Sequence, residues 1–149
     1  MSAALHLAKP DDLDRLMSLV RAFHVETDLE STDEHRRNAL LPLLEGSPHG
    51  AVYLIGPSRG PIGYIVVTFG WSVEFGGLDG FIDEIYIRSG VRGRGVASEV
   101  ITSLATMLKS VGMKALHLEV EPSNEGAMRL YKRCHFKLRD GYHLMSRVL

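Results

Sequence analysis

Apolar residues return along this chain in two rhythms, one of three to four positions and one of short β-branched runs, which marks alternating helices and strands. Leu13, Leu16, Met17, Val20 and Phe23 keep helical spacing behind Pro10 and the acids Asp11, Asp12 and Asp14, so a helix is predicted to about Val25. Ser31 followed three positions later by Glu34 has the form of a capping box. Leu40, Leu41, Leu43 and Leu44 then continue as a second helix ending near Gly46, which Pro42 should bend or stop. Ile101, Leu104, Ala105 and Leu108 mark a long helix over 94–110, closed by Gly112. A last helix runs from Glu121-Pro122-Ser123-Asn124 to about Arg133.

Between the helices lie strand-like runs at 4–8, 51–55, 62–69, 81–87 and 115–120, with two more at 136–138 and 142–148. Pro57-Ser58-Arg59-Gly60 supplies one hairpin turn, and a second turn falls within 71–80 around Gly76-Gly77. The order is β-α-α-β-β-β-α-β-α-β-β. Such an order predicts an α/β fold (an α+β mixed sheet) with helices on both faces, in one domain over 1–149. No repeat, linker or low-complexity tract interrupts it.

Composition narrows the class. With 149 residues, 45% hydrophobic and 23% charged, the chain is expected to be a globular protein, and no apolar run approaches a membrane span. The single cysteine, Cys134, excludes an internal disulfide and reads as a small buried hydrophobe. Seven histidines show no metal-ligand spacing, so no metal is expected. Of these, His24 borders a possible substrate site but is read first as a structural histidine. The first ten residues lack the pattern of a secretory signal, and a cytoplasmic location is expected. Neither nucleic acid nor a membrane is expected as a partner.

The net charge of −1 conceals a division. Residues 1–87 carry thirteen acids against six bases, and 88–149 carry five against eleven, so the halves stand at −7 and +6. An anion bound by the second half and a cation by the first would suit this. From 60 to 87 there is no lysine or arginine, but Glu74, Asp79, Asp83 and Glu84 are present.

Chemistry is expected where the 81–87 strand runs into the long helix. Arg88-Ser89-Gly90-Val91-Arg92-Gly93-Arg94-Gly95-Val96-Ala97-Ser98 joins them with three glycines and three arginines. Glycines let the backbone curl so that successive N–H groups converge, and a helix N-terminus adds partial positive charge. Such a loop holds phosphate oxygens.

The pattern Arg92-x-x-Gly95-x-Ala97 after Asp83-Glu84-Ile85-Tyr86-Ile87, with Asn124-Glu125-Gly126-Ala127-Met128-Arg129-Leu130-Tyr131 before Phe136, resembles the GCN5-related N-acetyltransferase (GNAT) superfamily. These motifs cover about 81–136; the first 60 residues match in element order alone. The resemblance implies acetyl-coenzyme A as acyl donor. Its pyrophosphate would lie on the amides of Arg92, Gly93, Arg94, Gly95, Val96, Ala97 and Ser98. Its pantetheine arm would run beside Ile85, Tyr86 and Ile87 like an added strand. Asn124 would bond the arm or cap the next helix, and Ala127 would leave room. At the position of His135 the family usually has glycine, which suggests a left-handed helix end that histidine adopts at some cost.

The same resemblance makes Tyr131 the expected general acid, since a phenol of pKa about 10 can protonate a thiolate whose acid has a pKa of about 8.5. Asp83 matches a carboxylate of polyamine-acetylating members and is preferred to Glu84 as base or substrate contact. Successive strand residues face opposite sides, so only one of the two should face a given side. With Glu74 and Trp71 as further substrate contacts, the expected acceptor is a small cationic amine, polyamine-like or aminoglycoside-like. Two alternatives are an acetyltransferase acting on a protein N-terminus or lysine, and a noncatalytic sensor of acetyl-coenzyme A. Related proteins are often dimers, and a homodimer is expected.

Overall fold

The β-branched runs pair into one sheet, and the amphipathic helices close its two faces. The computed structural model describes residues 4–149. Strands β1 (Leu5–Leu7), β2 (Gly50–Ile55), β3 (Gly63–Ser72), β4 (Gly77–Ile87) and β5 (Ala115–Leu118) lie in that spatial order. The first four are antiparallel neighbours, and β5 runs parallel to β4. The helices are α1 (Leu13–Glu26), α2 (Asp33–Leu44), α3 (Val96–Ser110) and α4 (Glu125–Arg133), with single 3₁₀ turns at Pro10–Asp12 and Ser89–Val91.

Two cores result from the alternation of β3. Tyr64 and Val66 face α1 and α2, where they pack with Leu16, Leu19, Val20, Leu40 and Leu44. Ile65 and Val67 face the opposite way, toward Val100, Leu104 and Leu108 of α3 and Ile82 of β4. Because both faces are covered, the middle of β3 must be apolar at every position, and Gly63 to Val67 are all buried. No helix among the described residues is long and apolar enough to cross a membrane.

Several boundaries depart from the pattern-based expectation. The cap of α2 is Thr32, whose Oγ1 accepts from the His35 amide at 3.0 Å, and not Ser31. Pro42 sits inside the final turn of α2, close enough to the end that the helix stops two residues later. The second hairpin is longer than its turn residues suggest, with strands reaching Ser72 and Gly77 and only 73–76 at the tip. The long helix begins at Val96 rather than 94, and β5 stops at Leu118.

The two last expected strands, at 136–138 and 142–148, are not formed. Beyond Phe136 the main chain makes no hydrogen bond to other main-chain groups among the described residues, and every residue from 137 to 149 is exposed. A strand needs a neighbour, and this segment pairs with none among the described residues.

Helix α4 ends as the missing glycine foretells. His135 adopts φ +71°. Its amide donates to Lys132 O at 3.1 Å and the Phe136 amide to Tyr131 O at 3.0 Å, the two bonds of a Schellman end. A left-handed L-residue costs roughly 1–2 kcal/mol, so His135→Gly should raise unfolding free energy by about 1 kcal/mol. Urea denaturation followed by circular dichroism checks this; an unchanged or lower midpoint contradicts it.

Candidate active site

The site begins with a slip in register. Val66 of β3 lies opposite Glu84 of β4, but the next residue, Val67, lies opposite Ile82, so Asp83 is one residue too many. This is a β-bulge, which bends the strand and re-aims its side chains. On the other edge, β4 pairs with β5 only from Asp79–Ala115 to Ile82–Leu118. From Asp83 onward the outer edge of β4 has no strand beside it. Ile85, Tyr86 and Ile87 thus present a strand edge that β5 does not pair.

The bulge also corrects the expectation that Asp83 and Glu84 face opposite sides. Both line one cavity of about 260 Å³, walled by His24 of α1, Ser31, and Arg36 and Leu40 of α2. Strict alternation fails where a strand carries an inserted residue.

Within the cavity the two carboxylates differ. Glu84 is held at both oxygens: the Tyr64 hydroxyl donates to Oε1 at 2.8 Å, and His24 Nε2 lies 2.8 Å from Oε2. Arg36 Nε donates to His24 Nδ1 at 3.1 Å. Arginine accepts nothing, so Nδ1 carries the lone pair and Nε2 the hydrogen given to Glu84. Arg36 is in turn bonded to Asp33 at 2.9 Å. Burial, followed by the charge of Glu84, pushes the Tyr64 phenol far above its ordinary range, so it remains a donor.

Asp83 has no such partner. Burial, then the charges of Glu84 and Glu119, raises its carboxyl above the usual value. One side of Asp83 is nonetheless open to solvent. A carboxylate that is unpaired, reachable and raised toward neutrality is a proton acceptor; one bonded at both oxygens is a fixed charge.

Beyond β4 the chain curls into the glycine-rich loop. Gly93 and Gly95 take φ +76° and +77°, which only glycine adopts without strain, and Gly95 caps α3. A Cβ built on either would meet nothing within 4 Å, so the space before them is open. The amides of Gly93, Arg94, Gly95, Val96, Ala97 and Ser98 donate to no other main-chain group among the described residues. Six consecutive free donors at a helix N-terminus make a nest for an anion.

The arginines contribute less than their number suggests. Arg92 turns back on the protein, with Nε donating to Ile87 O at 2.7 Å and its guanidinium pairing with both oxygens of Glu26 at 2.7 and 2.8 Å. It lies over the Tyr86 ring, 5.5 Å from the centroid. Its role is to fasten the loop to α1. Arg94 is exposed.

In α4, Asn124 Oδ1 accepts from the Ala127 amide at 3.1 Å, so Asn124 is the cap of the helix. Tyr131 meets Phe136 edge to face at 6.1 Å, and burial, with a smaller influence of Cys134, raises its phenol pKa. The hydroxyl therefore keeps its proton across the neutral range.

Trp71 and Glu74 are not brought to this cavity. They lie at the tip of the β3–β4 hairpin, with Trp71 72% exposed and Glu74 paired to Arg139 at 2.8 and 3.0 Å. Asp79 is bonded to His117 at 3.2 Å. Of the four acids in the stretch without bases, Asp83 alone is left without a partner among the described residues. Tyr64 and Arg36 are site residues the sequence pattern did not single out. Arg36 does leave a signal: it stands four and eight positions before Leu40 and Leu44, on the apolar stripe of α2.

The sequence profile of the acetyltransferase (GNAT) family matches residues 13–136. The chain is 39% identical over 65 residues to N-alpha-acetyltransferase MAK3 of Arabidopsis thaliana, covering 43% of this chain and 34% of that protein. It is 33% identical over 79 residues to thialysine N-epsilon-acetyltransferase of Bos taurus, covering 52% and 46%. The chain thus spans less than half the length of these two curated relatives. An integron cassette protein from the mobile metagenome of Cole Harbour Salt Marsh superimposes with a TM-score of 0.84 at 28% identity, covering 97% of this chain and 90% of that one.

The raised carboxyl of Asp83 fixes a stability prediction. A group whose folded pKa lies above its unfolded one binds more protons when folded, so its ionisation costs stability as pH rises through that interval. Asp83→Asn should therefore have a higher melting temperature than the parent at pH 7, and the advantage should fade as the pH is lowered through the Asp83 titration. A lower melting temperature at pH 7 would contradict this.

Proposed function

Because the chain belongs to the GNAT acetyltransferase family, we propose that it transfers an acetyl group from acetyl-coenzyme A to a small cationic amine, with both substrates held at once. The observation that carries this reading is the run of free amides at 93–98 beside the unpaired edge of β4.

The residues present fit the coenzyme. Amides from Gly93 to Ser98 offer donors to a diphosphate, and the open space before Gly93 and Gly95 admits it to the main chain. Ile85, Tyr86 and Ile87 offer a strand edge to the amide-bearing arm. In this reading Asn124 and Ala127 would bound the far side of the arm. Bound acetyl-coenzyme A supplies an acyl group already activated as a thioester, so positioning accounts for much of the acceleration.

The remaining tasks fall to the chain. Asp83 accepts a proton from the ammonium group, because an amine without a lone pair cannot attack. Glu84, bonded by Tyr64 and His24, attracts the cation, and its charge keeps Asp83 basic. Tyr131 holds a proton at Oη for the departing sulfur. The cavity favours a small acceptor: about 260 Å³ with two acids against Val20, Leu40 and Val66 suits an amine on a short apolar body. One relative is named for an N-epsilon-acetyltransferase of thialysine, which accords with that class.

Coenzyme A thiol release, measured over a panel of diamines, amino-acid side-chain amines, aminoglycosides and an N-terminal peptide, tests the reading. Small cationic amines should react best. General acid–base roles are worth about 10²–10⁴-fold, so Asp83→Asn and Tyr131→Phe should each lower kcat within that range, the latter without loss of coenzyme affinity. Reaction with the peptide alone, or no turnover at all, would contradict it.

The pH profile supplies a second check. On the acid side kcat/KM should rise as Asp83 loses its proton. Glu84→Gln removes one of the charges that raise Asp83, so the acid limb should move to lower pH. An unmoved limb would contradict the assignment of Asp83.

A further inference from the structure

The helical side of the acid-bearing cavity holds more hydrogen-bonding capacity than the protein itself uses. Ser31 lines the cavity, and its Oγ is buried with no hydrogen-bond partner among the described residues. Folded proteins rarely leave a buried hydroxyl unpaired, so such an atom calls for an explanation. Arg36 lines the same cavity and is only 8% exposed. Its Nε donates to His24 and its Nη1 to Asp33, while Nη2 has no partner among the described residues.

The charge of Arg36 is also incompletely answered. Asp33 is 60% exposed and gives the same oxygen to Arg21 at 3.0 Å. A buried guanidinium that shares one carboxylate oxygen with a second arginine can accept a further anion. Guanidinium donors beside a hydroxyl suit a carboxylate. Glu30, which precedes Ser31 in the chain, adds an acid to the lining. A guanidinium, a hydroxyl and one acid together complement the carboxylate and ammonium of an amino acid.

The spacing decides which amine of such a ligand reacts. Between Arg36 Nε and Glu84 Oε2 stand an imidazole ring and two hydrogen bonds, of 3.1 and 2.8 Å. An α-ammonium is separated from its carboxylate by a single carbon, too short to span that relay. The amine that reaches the acids of β4 is therefore one carried on a side chain. Val20, Leu40 and Val66 in the same lining suit the methylenes that carry it.

We propose that the acceptor is a free amino acid bearing a side-chain amine. Arg36 Nη2 and Ser31 Oγ hold its carboxylate, Glu30 its α-ammonium, and Asp83 with Glu84 the amine that is acetylated. With two ammonium groups and one carboxylate, such a ligand is still a cation. The inference rests on the acetyltransferase reading and narrows its acceptor, since neither a plain diamine nor a residue within a peptide offers a free carboxylate.

Two matched sets of acceptors test this by coenzyme A thiol release: free lysine with lysine amide and cadaverine, and free ornithine with ornithine amide and putrescine. In the faster set the free amino acid should exceed its amide and its diamine in kcat/KM by about ten-fold or more, the worth of hydrogen bonds to a charged group. Ser31→Ala should shrink that preference by about ten-fold without lowering the melting temperature, since the hydroxyl it removes has no partner in the protein. An amide or diamine that reacts as well as the amino acid, an unchanged preference in Ser31→Ala, or a lowered melting temperature of that variant would each overturn the proposal and leave acetyl transfer standing. If no amine reacts, acetyl transfer falls, and amide chemical shifts decide the site alone. Free lysine, and not cadaverine, should then move the Ser31 amide; an unmoved amide would overturn the site as well.

Discussion

One inserted residue in β4 sets the terms for the rest of the site. Asp83 stands where β3 has no counterpart, and the parallel pairing with β5 stops just before it, so the outer edge of the strand is free over the residues that lead into the glycine-rich loop. The same insertion turns two consecutive acids into one cavity. Without the bulge Asp83 and Glu84 would point apart, and the acid pair would not exist. Sheet geometry and site chemistry are here one constraint.

The polar groups around the bulge divide the labour between rigidity and availability. Arg36, His24, Tyr64 and Glu84 form a chain of bonds in which each group is held by the next, so that cluster has little freedom to rearrange. Asp83 stands outside it and carries the cost of being charged near two other acids. A similar division holds in the loop, where Arg92 is spent on Glu26 and the free capacity lies in main-chain amides. Helix α1 connects the two halves, since it carries both His24 at the cavity and Glu26 at the loop.

Much of this was legible in the residues. The helices follow from apolar spacing, the anion nest from glycines before a helix, and the left-handed end at His135 from a missing glycine. The bulge was not legible, because an aspartate within a strand looks the same whether or not it has a counterpart across the ladder. The cap at Thr32 competes with Ser31 one position away, and only the geometry decides. Glu74 and Trp71 were expected near Asp83 on charge and aromaticity, but the longer hairpin carries them to its tip. The expected strands at 136–138 and 142–148 are not formed, because the chain after Phe136 runs exposed without a main-chain partner among the described residues.

The account rests on the main chain at 93–98 meeting the coenzyme's phosphates next to the free edge of β4. Amide chemical-shift mapping during titration with coenzyme A tests this most directly. The largest changes should fall on Gly93, Arg94, Gly95, Val96, Ala97 and Ser98 and on Ile85 to Ile87. No change, or changes concentrated on the hairpin tip or α2, would contradict it.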